Sequence, residues 1–412
     1  MTSMNGTKVL VTGGATKEIF DKARHIANRS RSEDHGHKVA TELAKQGAEV
    51  TLITAETLLA KPEGVTVIEA KNDGTKITST DDLKEVLDSQ LGIWFNSIIN
   101  LAVTPSVKPT EIKKEKMKRD KKSGKPESIS IKGNLDLLSY IAGRAQGKQA
   151  VVGYDKKQNL LNPNGDDSLR ELIESQKAKG VIATETINSK PQASQRLAGK
   201  KILVTGGRTE EQISKSADVI TNFSTGRQGH SIAQALADMG AEVILVTGPS
   251  VVKDLTDPKI KTIHVNSTTE LRDICVQQLP VDAAVCVSAV ADFGLSTIPD
   301  LNLSETEKMD LVLDQMPDTL KTIGWHDQRP KVVIGFAAET QNIIPYAQDK
   351  VSSKNADIIV ANDIGDPMIA RGVNQNKVYL VSKDRVEELD EMSKYDVGLN
   401  LGEKIADLLN IS

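Results

Sequence analysis

The sequence has little of what several classes of protein depend on. Aromatic residues make up only 3% of its 412 residues, which argues against a surface that binds nucleic acid by base stacking. The formal net charge is −4, so no basic excess indicates a nucleic-acid or anionic-membrane partner. No apolar run is long enough to span a bilayer. These absences favour a protein that acts on small molecules, with no nucleic-acid and no membrane partner.

Cysteine is also scarce. Cys275 and Cys286 are the only two, too few for a cysteine metal cluster, and both lie in or beside apolar segments. One disulfide is conceivable, but two buried free thiols in a reducing compartment fit better. Residues 1–7 are too short and polar for a signal peptide. We therefore predict a cytoplasmic location.

What the sequence does contain is an internal duplication. The matched segments are residues 8–18 with 201–211, 26–28 with 220–222, and 48–54 with 241–247. Repeats of this length are duplicated domains, not solenoid units. We predict a first copy at residues 1–187, a polar linker at 188–199 and a second copy at 200–412.

Each copy alternates short apolar strands with amphipathic helical stretches. Such alternation predicts the α/β class, with two Rossmann-like doubly wound domains and mainly parallel sheets. Ligands of these sheets bind beyond the carboxyl ends of the strands. The loops that follow Thr205, Val287, Gly335 and Val360 are therefore the candidate ligand sites.

The most distinctive stretch is N-F-S-T-G-R-Q-G at residues 222–229. Gly226 and Gly229 allow the backbone to approach a phosphate, and the N–H groups of the following helix would face that anion. The Asn222 amide can bond a phosphate or carboxylate oxygen. By itself the glycine cluster fits a tight turn equally well. A nicotinamide-dependent reductase is disfavoured, because its G-x-G-x-x-G directly follows the first strand, whereas a long polar loop intervenes here.

Five motifs follow one another in the second copy. They are V-T-G-G at 204–207, I-T-N-F-S-T-G-R-Q-G at 220–229, S-A-V-A-D at 288–292, G-F-A-A-E-T at 335–340 and K-x-x-x-K-N-A-D-I-I-V-A-N-D at 350–363. Together they resemble the phosphopantothenoylcysteine synthetase family, the phosphopantothenate–cysteine ligases of coenzyme A biosynthesis. The first copy resembles the same family more distantly.

The resemblance implies a two-step reaction. The carboxylate of 4′-phosphopantothenate attacks the α-phosphate of a nucleoside triphosphate, and pyrophosphate leaves. The amine of L-cysteine then displaces the nucleoside monophosphate and forms an amide. Mg²⁺ would accompany the triphosphate, with its protein ligands unknown. CTP is favoured over ATP because residues 335–340 have the bacterial form of their motif, although residues 222–229 also resemble the versions found in ATP users.

The resemblance further implies roles for individual residues. Those expected to bind the nucleotide are Gly206, Gly226, Gly229, Phe336, Lys350, Lys354 and Asn362. Those expected to hold the pantothenate chain and the acyl phosphate are Asn222, Ala289 and Asp292, with Asn222 and Asp292 also catalytic. Structural alternatives exist for these residues when taken singly: a helix cap for Asp292, a turn for Asn362 and a solvated face for the two lysines.

The two copies depart from the family pattern in complementary ways. The family has an arginine four residues before the conserved asparagine and a mobile flap with a functional lysine. The first copy has Arg24 and, in the flap, Lys116, whereas the second has Asp218 and a short acidic segment. Conversely, we align Pro105 of the first copy with Asp292. We therefore predict a fused, monomeric pseudo-dimer with one working site, to which Arg24 contributes a substrate-phosphate contact and Lys116 a catalytic cation. The alternative is that the basic segment around Lys116 is only a solvated loop.

Two alternatives to this function remain open. One is a related nucleotide-dependent amide ligase for another carboxylic acid, and the other is a non-catalytic nucleotide-binding regulator. No flavin decarboxylase sequence is present, so the next step of the pathway requires a separate decarboxylase, with which this chain could associate.

Overall fold

The computed structural model describes residues 4–29, 34–57, 59–115, 117, 127–145, 149–154, 160–161, 171–173, 193–339, 342–363 and 375–411. The chain forms two compact units. The first unit consists of residues 1–183, 212–220 and 295–314, and the second of residues 184–211, 221–294 and 315–412. Two segments of the second sequence copy therefore belong to the first unit. The predicted linker lies partly outside the described residues, and its bounds stay a prediction.

The helices and strands follow one another in the order that the alternating pattern predicts. Over the described ranges the helices are α1 (His35–Lys45), α2 (Thr80–Gln90), α3 (Leu137–Ala142), α4 (Arg227–Asp238), α5 (Thr268–Gln277), α6 (Thr319–Gly324), α7 (Ile343–Lys354) and α8 (Lys394–Leu408). The strands are β1 (Lys8–Gly13), β2 (Glu18–Ile19), β3 (Arg24–Asn28), β4 (Glu49–Thr54), β5 (Val65–Ile68), β6 (Ser97–Asn100), β7 (Val107–Pro109), β8 (Glu127–Gly133), β9 (Ala150–Tyr154), β10 (Leu160–Leu161), β11 (Lys201–Gly206), β12 (Glu210–Gln212), β13 (Asp218–Asn222), β14 (Glu242–Thr247), β15 (Ile260–His264), β16 (Ala283–Cys286), β17 (Phe293–Gly294), β18 (Lys308–Gln315), β19 (Val332–Glu339), β20 (Ile358–Asp363), β21 (Gln375–Asn376), β22 (Val378–Val381), β23 (Val386–Glu388) and β24 (Met392–Ser393).

The second unit is built on a mainly parallel sheet with the strand order β15-β14-β11-β16-β19-β20-β22-β23. Neighbours from β15 to β20 are parallel, and β22 and β23 are added antiparallel. One face packs on α4 and α8 and the other on α5, α6 and α7, each through a cluster of buried aliphatic side chains. This confirms the predicted doubly wound α/β architecture, whose strands are apolar throughout because both faces are covered.

The first unit repeats this arrangement. Its sheet has the order β10-β9-β6-β1-β4-β5, and β9, β6, β1, β4 and β5 correspond to β19, β16, β11, β14 and β15 of the second unit. The neighbours are parallel except for the β10–β9 pair. Buried clusters again lie on both faces. The duplication seen in the sequence is thus a duplication of topology.

A second sheet of the first unit joins the two sequence copies. β8 pairs antiparallel with β7 and, from the second copy, with β18, where Ile131 lies opposite Met309 and Ser128 opposite Val312. The Gly133 N–H donates to the carbonyl of Ser304 at 3.1 Å. A Cβ at Gly133 would lie 2.4 Å from that oxygen, so this close approach requires glycine.

Matching hydrogen bonds fix which positions of the two copies are equivalent. Thr12 Oγ1 accepts from the N–H groups of Leu101 and Ala102, both at 3.2 Å. Thr205 Oγ1 accepts from those of Val287 and Ser288, at 2.9 and 3.1 Å. Leu101 therefore corresponds to Val287.

Counting forward from that pair, Ser106 corresponds to Asp292. The alignment of Pro105 with Asp292 was wrong by one residue, because it matched similar letters (Ala-Val in both copies) rather than the strand register. The residue that replaces Asp292 in the first copy is therefore a serine.

Candidate active site

The predicted site residues of the second copy lie at the carboxyl ends of adjacent strands. Gly206 is the last residue of β11, and Asn362 is the next-to-last residue of β20. Phe336 is in the carboxyl half of β19. These strands run parallel through β16, with Thr205 beside Cys286, Cys286 beside Gly335 and Ala338 beside Asn362. The structure therefore brings these three predicted residues to one edge of the sheet, where ligands of such folds bind.

The glycines at this edge allow a helix to start directly against a strand end. Gly226 is the N-cap of α4 with a left-handed φ of 78°, and Gly229 lies in the first turn. A Cβ at Gly229 would be 2.8 Å from Gly206 Cα and 3.0 Å from the Thr205 carbonyl. Gly229 thus serves the close packing of α4 on β11, which holds the N–H groups of the first turn of α4 near Gly206. Those groups suit an anion.

Buried beneath this turn is His230, which the sequence reading did not assign. Its side chain is fully buried, and burial lowers its pKa, so the ring is neutral near pH 7. The Nδ1 atom lies 3.0 Å from the Gly226 carbonyl, and only a protonated Nδ1 can donate there. The ring therefore fixes the left-handed turn at Gly226. A Gly-His pair at 36–37 and again at 229–230 was the available signal.

Asn222 has one amide atom engaged and one free. Its Nδ2 donates to the Val290 carbonyl at 2.6 Å. Its Oδ1 is buried, and within the described residues it has no hydrogen-bond partner. A buried acceptor without a partner costs free energy, so this oxygen fits a ligand that donates, such as a hydroxyl or an amide N–H.

The loop at residues 287–292 is positioned from β11. Besides the two bonds to Thr205, the Ser288 hydroxyl donates to the Gly206 carbonyl at 2.7 Å. The Ala289 N–H donates to the Gly207 carbonyl at 2.9 Å, and the Ala289 carbonyl accepts from the Thr209 N–H at 3.1 Å. Both backbone groups of Ala289 are thus used to hold the loop. Asp292 is half-buried at its end, and its carbonyl accepts from the Met316 N–H at 3.0 Å.

A buried carboxylate beside this loop was also missed by the sequence reading. Glu211 accepts from the Thr268 N–H and hydroxyl, both at 2.7 Å, and so binds the first residue of α5. The Thr209 and Thr268 hydroxyls lie 2.9 Å apart. Burial raises the pKa of Glu211 against the effect of these bonds.

The first copy contains the same arrangement. Glu18 accepts from the Thr80 N–H and hydroxyl at 2.9 and 2.6 Å, and Thr16 lies 3.0 Å from the Thr80 hydroxyl. Burial likewise raises the pKa of Glu18. The repeated T-x-E at 16–18 and 209–211 was the signal, and the structure shows that it serves helix positioning.

The predicted lysines lie four residues apart at the end of α7. Lys354 forms an ion pair with Asp318, and the two side chains are 18% and 19% exposed. Asp318 also caps α6 by accepting from the Lys321 N–H at 2.9 Å. The Lys354 cation is therefore held in place by a carboxylate. Lys350 lies one turn earlier on the same face of the helix.

The residues expected from the first copy have a different setting. Arg24 is fully buried. Its Nη1 donates to Asp21 Oδ2 at 2.7 Å, and both terminal nitrogens donate to the Met117 carbonyl at 3.2 Å. Lys116 lies outside the described residues, but Arg24 binds the residue next to it. The roles of Arg24 and Lys116 in a reaction stay predictions.

No cluster of three or more His, Cys, Asp or Glu that could hold a metal ion occurs in the described part of the chain. Nor does any helix there have the length and apolarity needed to cross a membrane.

Comparison with known proteins identifies the family of the chain. The model of the family described as DNA/pantothenate metabolism flavoprotein C-terminal domain matches residues 4–187 and again residues 197–409. The chain belongs to this family. The resemblance to phosphopantothenoylcysteine synthetases is thereby confirmed, and the family's domain occurs twice in the chain.

Proteins with similar sequences include the coenzyme A biosynthesis bifunctional protein CoaBC of Bacillus subtilis. It is 36% identical over 287 residues, which are 68% of this chain and 66% of the relative. A cysteine/cysteine sulfinic acid decarboxylase from an unidentified prokaryotic organism is 30% identical over 284 residues, 67% of this chain and 75% of that protein. The chain thus spans just under two thirds of the Bacillus relative.

A similar solved structure is that of the C-terminal domain of a coenzyme A biosynthesis bifunctional protein CoaBC. It is 34% identical, covers 53% of this chain and 99% of its own, and has a TM-score of 0.44.

Proposed function

We propose that the chain is a coenzyme A biosynthesis ligase that joins 4′-phosphopantothenate and L-cysteine through an acyl-nucleotide. The observation that carries the proposal is one sheet edge of the second unit. There the helix turn at Gly226 and the loop ending at Asp292 are held against the end of β11, and the half-buried Asn222 donates to that loop. Membership of the family supports the chemical class, as does the similarity to the coenzyme A biosynthesis bifunctional protein of Bacillus subtilis.

In the first step the triphosphate binds with its phosphates at the start of α4, near Gly206. The carboxylate of 4′-phosphopantothenate attacks the α-phosphorus, an acyl–phosphate bond forms, and the bond to pyrophosphate breaks. Lys350 and Lys354 neutralise the charge that collects on the leaving pyrophosphate. Phe336 and Asn362 flank the nucleoside.

Mg²⁺ would supply further positive charge. It usually binds through substrate phosphates and one or two carboxylates, with water in the other positions.

Asn222, Ala289 and Asp292 hold the acid. The free Oδ1 of Asn222 accepts a hydrogen bond from a hydroxyl or amide of the pantothenate chain, which satisfies a buried acceptor. In the second step the cysteine amine attacks the acyl carbon, the nucleoside monophosphate leaves with the bonding electrons, and the amine loses a proton to give the amide.

The test is pyrophosphate release by the full-length protein with 4′-phosphopantothenate, L-cysteine and Mg²⁺, and with CTP and ATP in parallel. We expect release that depends on 4′-phosphopantothenate and is faster with CTP. Release that needs a different acid would indicate a related amide ligase. Nucleotide binding without any release would contradict the proposal and indicate a regulator.

A further inference from the structure

The first unit contains a cluster of buried polar groups around Asp218, a residue of the second sequence copy. Asp218 is fully buried. Its Oδ1 accepts from Asn28 Nδ2 at 2.9 Å and from the Ser106 N–H at 3.1 Å. Its Oδ2 accepts from the hydroxyls of Ser106 and of Ser214, the latter at 3.1 Å. We call Asn28, Ser106, Ser214 and Asp218 the Asp218 cluster.

Two members of the Asp218 cluster correspond to predicted acid-binding residues of the second copy. Asn28 is equivalent to Asn222 by the sequence duplication, and Ser106 is equivalent to Asp292 by the hydrogen bonds that fix the register. Where the second copy is expected to hold an acid, the first copy therefore holds the carboxylate of Asp218.

The loop that precedes Asp218 is shaped to place it there. The Ser214 hydroxyl accepts from the N–H groups of Ser216 and Asp218, both at 3.1 Å. Ala217 has a left-handed φ of 65°, which costs a non-glycine residue free energy. Asn28 and Arg29 clamp the loop by donating to the carbonyls of Ser216 and Ala217, at 3.0 and 3.1 Å.

Four donors for one carboxylate are what an anion site supplies. Both oxygens of Asp218 are saturated with hydrogen bonds, and bonds of this kind favour the ionised form of an acid. Burial acts in the opposite direction and raises the pKa of Asp218. The donors therefore offset the cost of placing this carboxylate in the interior.

We propose that Asn28, Ser106 and Ser214 form a carboxylate-binding site in the first copy and that Asp218 occupies it as a permanent internal ligand. The first copy then takes no acid of its own, and the site would bind a small free carboxylate if the Asp218 side chain were removed. This inference concerns a site to which no step of the reaction is assigned, so it does not require the proposed ligase activity.

The direct test removes the internal ligand and supplies it from solution. Asp218→Gly deletes a group of the size and charge of acetate and leaves four donors without an acceptor, so the variant is less stable than the wild type. We expect acetate, in excess over its dissociation constant, to raise the Tm of Asp218→Gly by about 3 °C more than that of the wild type. Acetamide, which has the same shape and no charge, has a smaller effect.

Two controls separate binding at this site from a general salt effect. Asp218→Asn keeps the volume of the side chain, so it has no vacancy and acetate does not raise its Tm beyond the wild-type change. Asp218→Gly combined with Ser106→Ala lacks a donor, and its response to acetate is reduced. If Asp218→Gly does not fold alone, the same comparison is made on the yield of refolding from urea in acetate and in acetamide.

Equal effects of acetate and acetamide, or no effect of either, would overturn the proposal. A second measurement uses the wild type: equilibrium dialysis with labelled 4′-phosphopantothenate and nucleotide. One molecule of acid per chain, or none, agrees with an occupied first copy, and two would contradict it. No bound acid together with acetate rescue would reject the proposed ligase and leave the occupied site standing.

Discussion

At the scale of single residues, one threonine hydroxyl in each copy holds the loop that carries the candidate acid-binding residues. Thr205 accepts from two consecutive backbone N–H groups, and Thr12 does the same in the first copy. Both hydroxyls are buried, so if either were removed, no water could take its place as the acceptor for the two N–H groups. The two positions therefore form a matched pair for separating stability from function.

Thr205→Val should lower both stability and activity. The loss of the acceptor leaves two buried donors unsatisfied, at a cost of about 1–3 kcal/mol, and the shifted loop slows pyrophosphate release by roughly tenfold or more. Thr12→Val should cost a similar free energy of unfolding and leave turnover per folded molecule near wild type. Urea denaturation and the pyrophosphate assay measure the two effects. Equal losses of turnover in both variants would mean that the copies share the work.

Lys354 gives a prediction about nucleotide binding. Its ion pair with Asp318 holds the ammonium beside the last turn of α7, which leads into the amino end of β20, and the proposal assigns this cation to the leaving pyrophosphate. Lys354→Met should raise the KM for the nucleotide about tenfold, since a charge-assisted contact to phosphate is lost. Lys321→Met, on the neighbouring helix, is the control and should leave KM unchanged. An unchanged KM in Lys354→Met would remove this lysine from the site.

At the scale of elements, sequence patterns predicted the alternation of strands and helices because both faces of each sheet are covered, which leaves continuous apolar strands. The strand predicted to end at Thr205 is β11 (Lys201–Gly206), and the helix predicted to follow the stretch at 222–229 is α4 (Arg227–Asp238). What the pattern could not provide was the fit between elements. Glu211 reaches the start of α5 from a distant part of the chain, and the sequence marks that contact only by a repeated T-x-E.

The contact of α4 with β11 predicts unequal effects of two equivalent glycines. Gly229→Ala places a Cβ 2.8 Å from Gly206 Cα, and Gly36→Ala places one 2.6 Å from Gly13 Cα. Each should lower the free energy of unfolding by about 1–3 kcal/mol. Only Gly229→Ala should also lose nucleotide affinity, measured by calorimetry on the folded protein. Loss of affinity in Gly36→Ala alone would assign the nucleotide to the first copy.

The buried carboxylates at the starts of α2 and α5 predict a pH dependence of stability. The pKa values of Glu18 and Glu211 are raised from the usual 4.5, so the folded protein binds these protons more tightly than the unfolded chain. Their contribution is complete below pH 4.5 and is lost as the pH rises through the raised values.

Glu211→Gln retains an acceptor and cannot ionise. The Tm of the wild type relative to Glu211→Gln should therefore fall as the pH rises from about 4 to 7. Glu18→Gln should show a change of the same sign. Calorimetric scans across this range measure it, and a constant difference in Tm would contradict the assigned direction.

At the scale of the whole molecule, the duplication was readable from the sequence, and the fold confirms it. That two segments of the second copy lie in the first unit could not be predicted, because residues 212–220 and 295–314 join that unit through contacts far apart in the chain. Asp218 illustrates the difference. The sequence has Asp218 where the family has an arginine, which predicted only the loss of a substrate contact. The structure adds that its carboxylate accepts four hydrogen bonds, from Asn28, Ser106 and Ser214.

Together, the proposed reaction and the occupied first copy give the duplicated chain one working acid-activating site, in the second copy. This claim is tested most directly by counting the acyl-nucleotide formed per chain from nucleotide labelled at the α-phosphate, with 4′-phosphopantothenate and Mg²⁺ but without cysteine. We predict one acyl-nucleotide per chain, which is converted to the amide product when cysteine is added. Two per chain would show that the first copy also activates the acid, and none would contradict the proposed ligase chemistry.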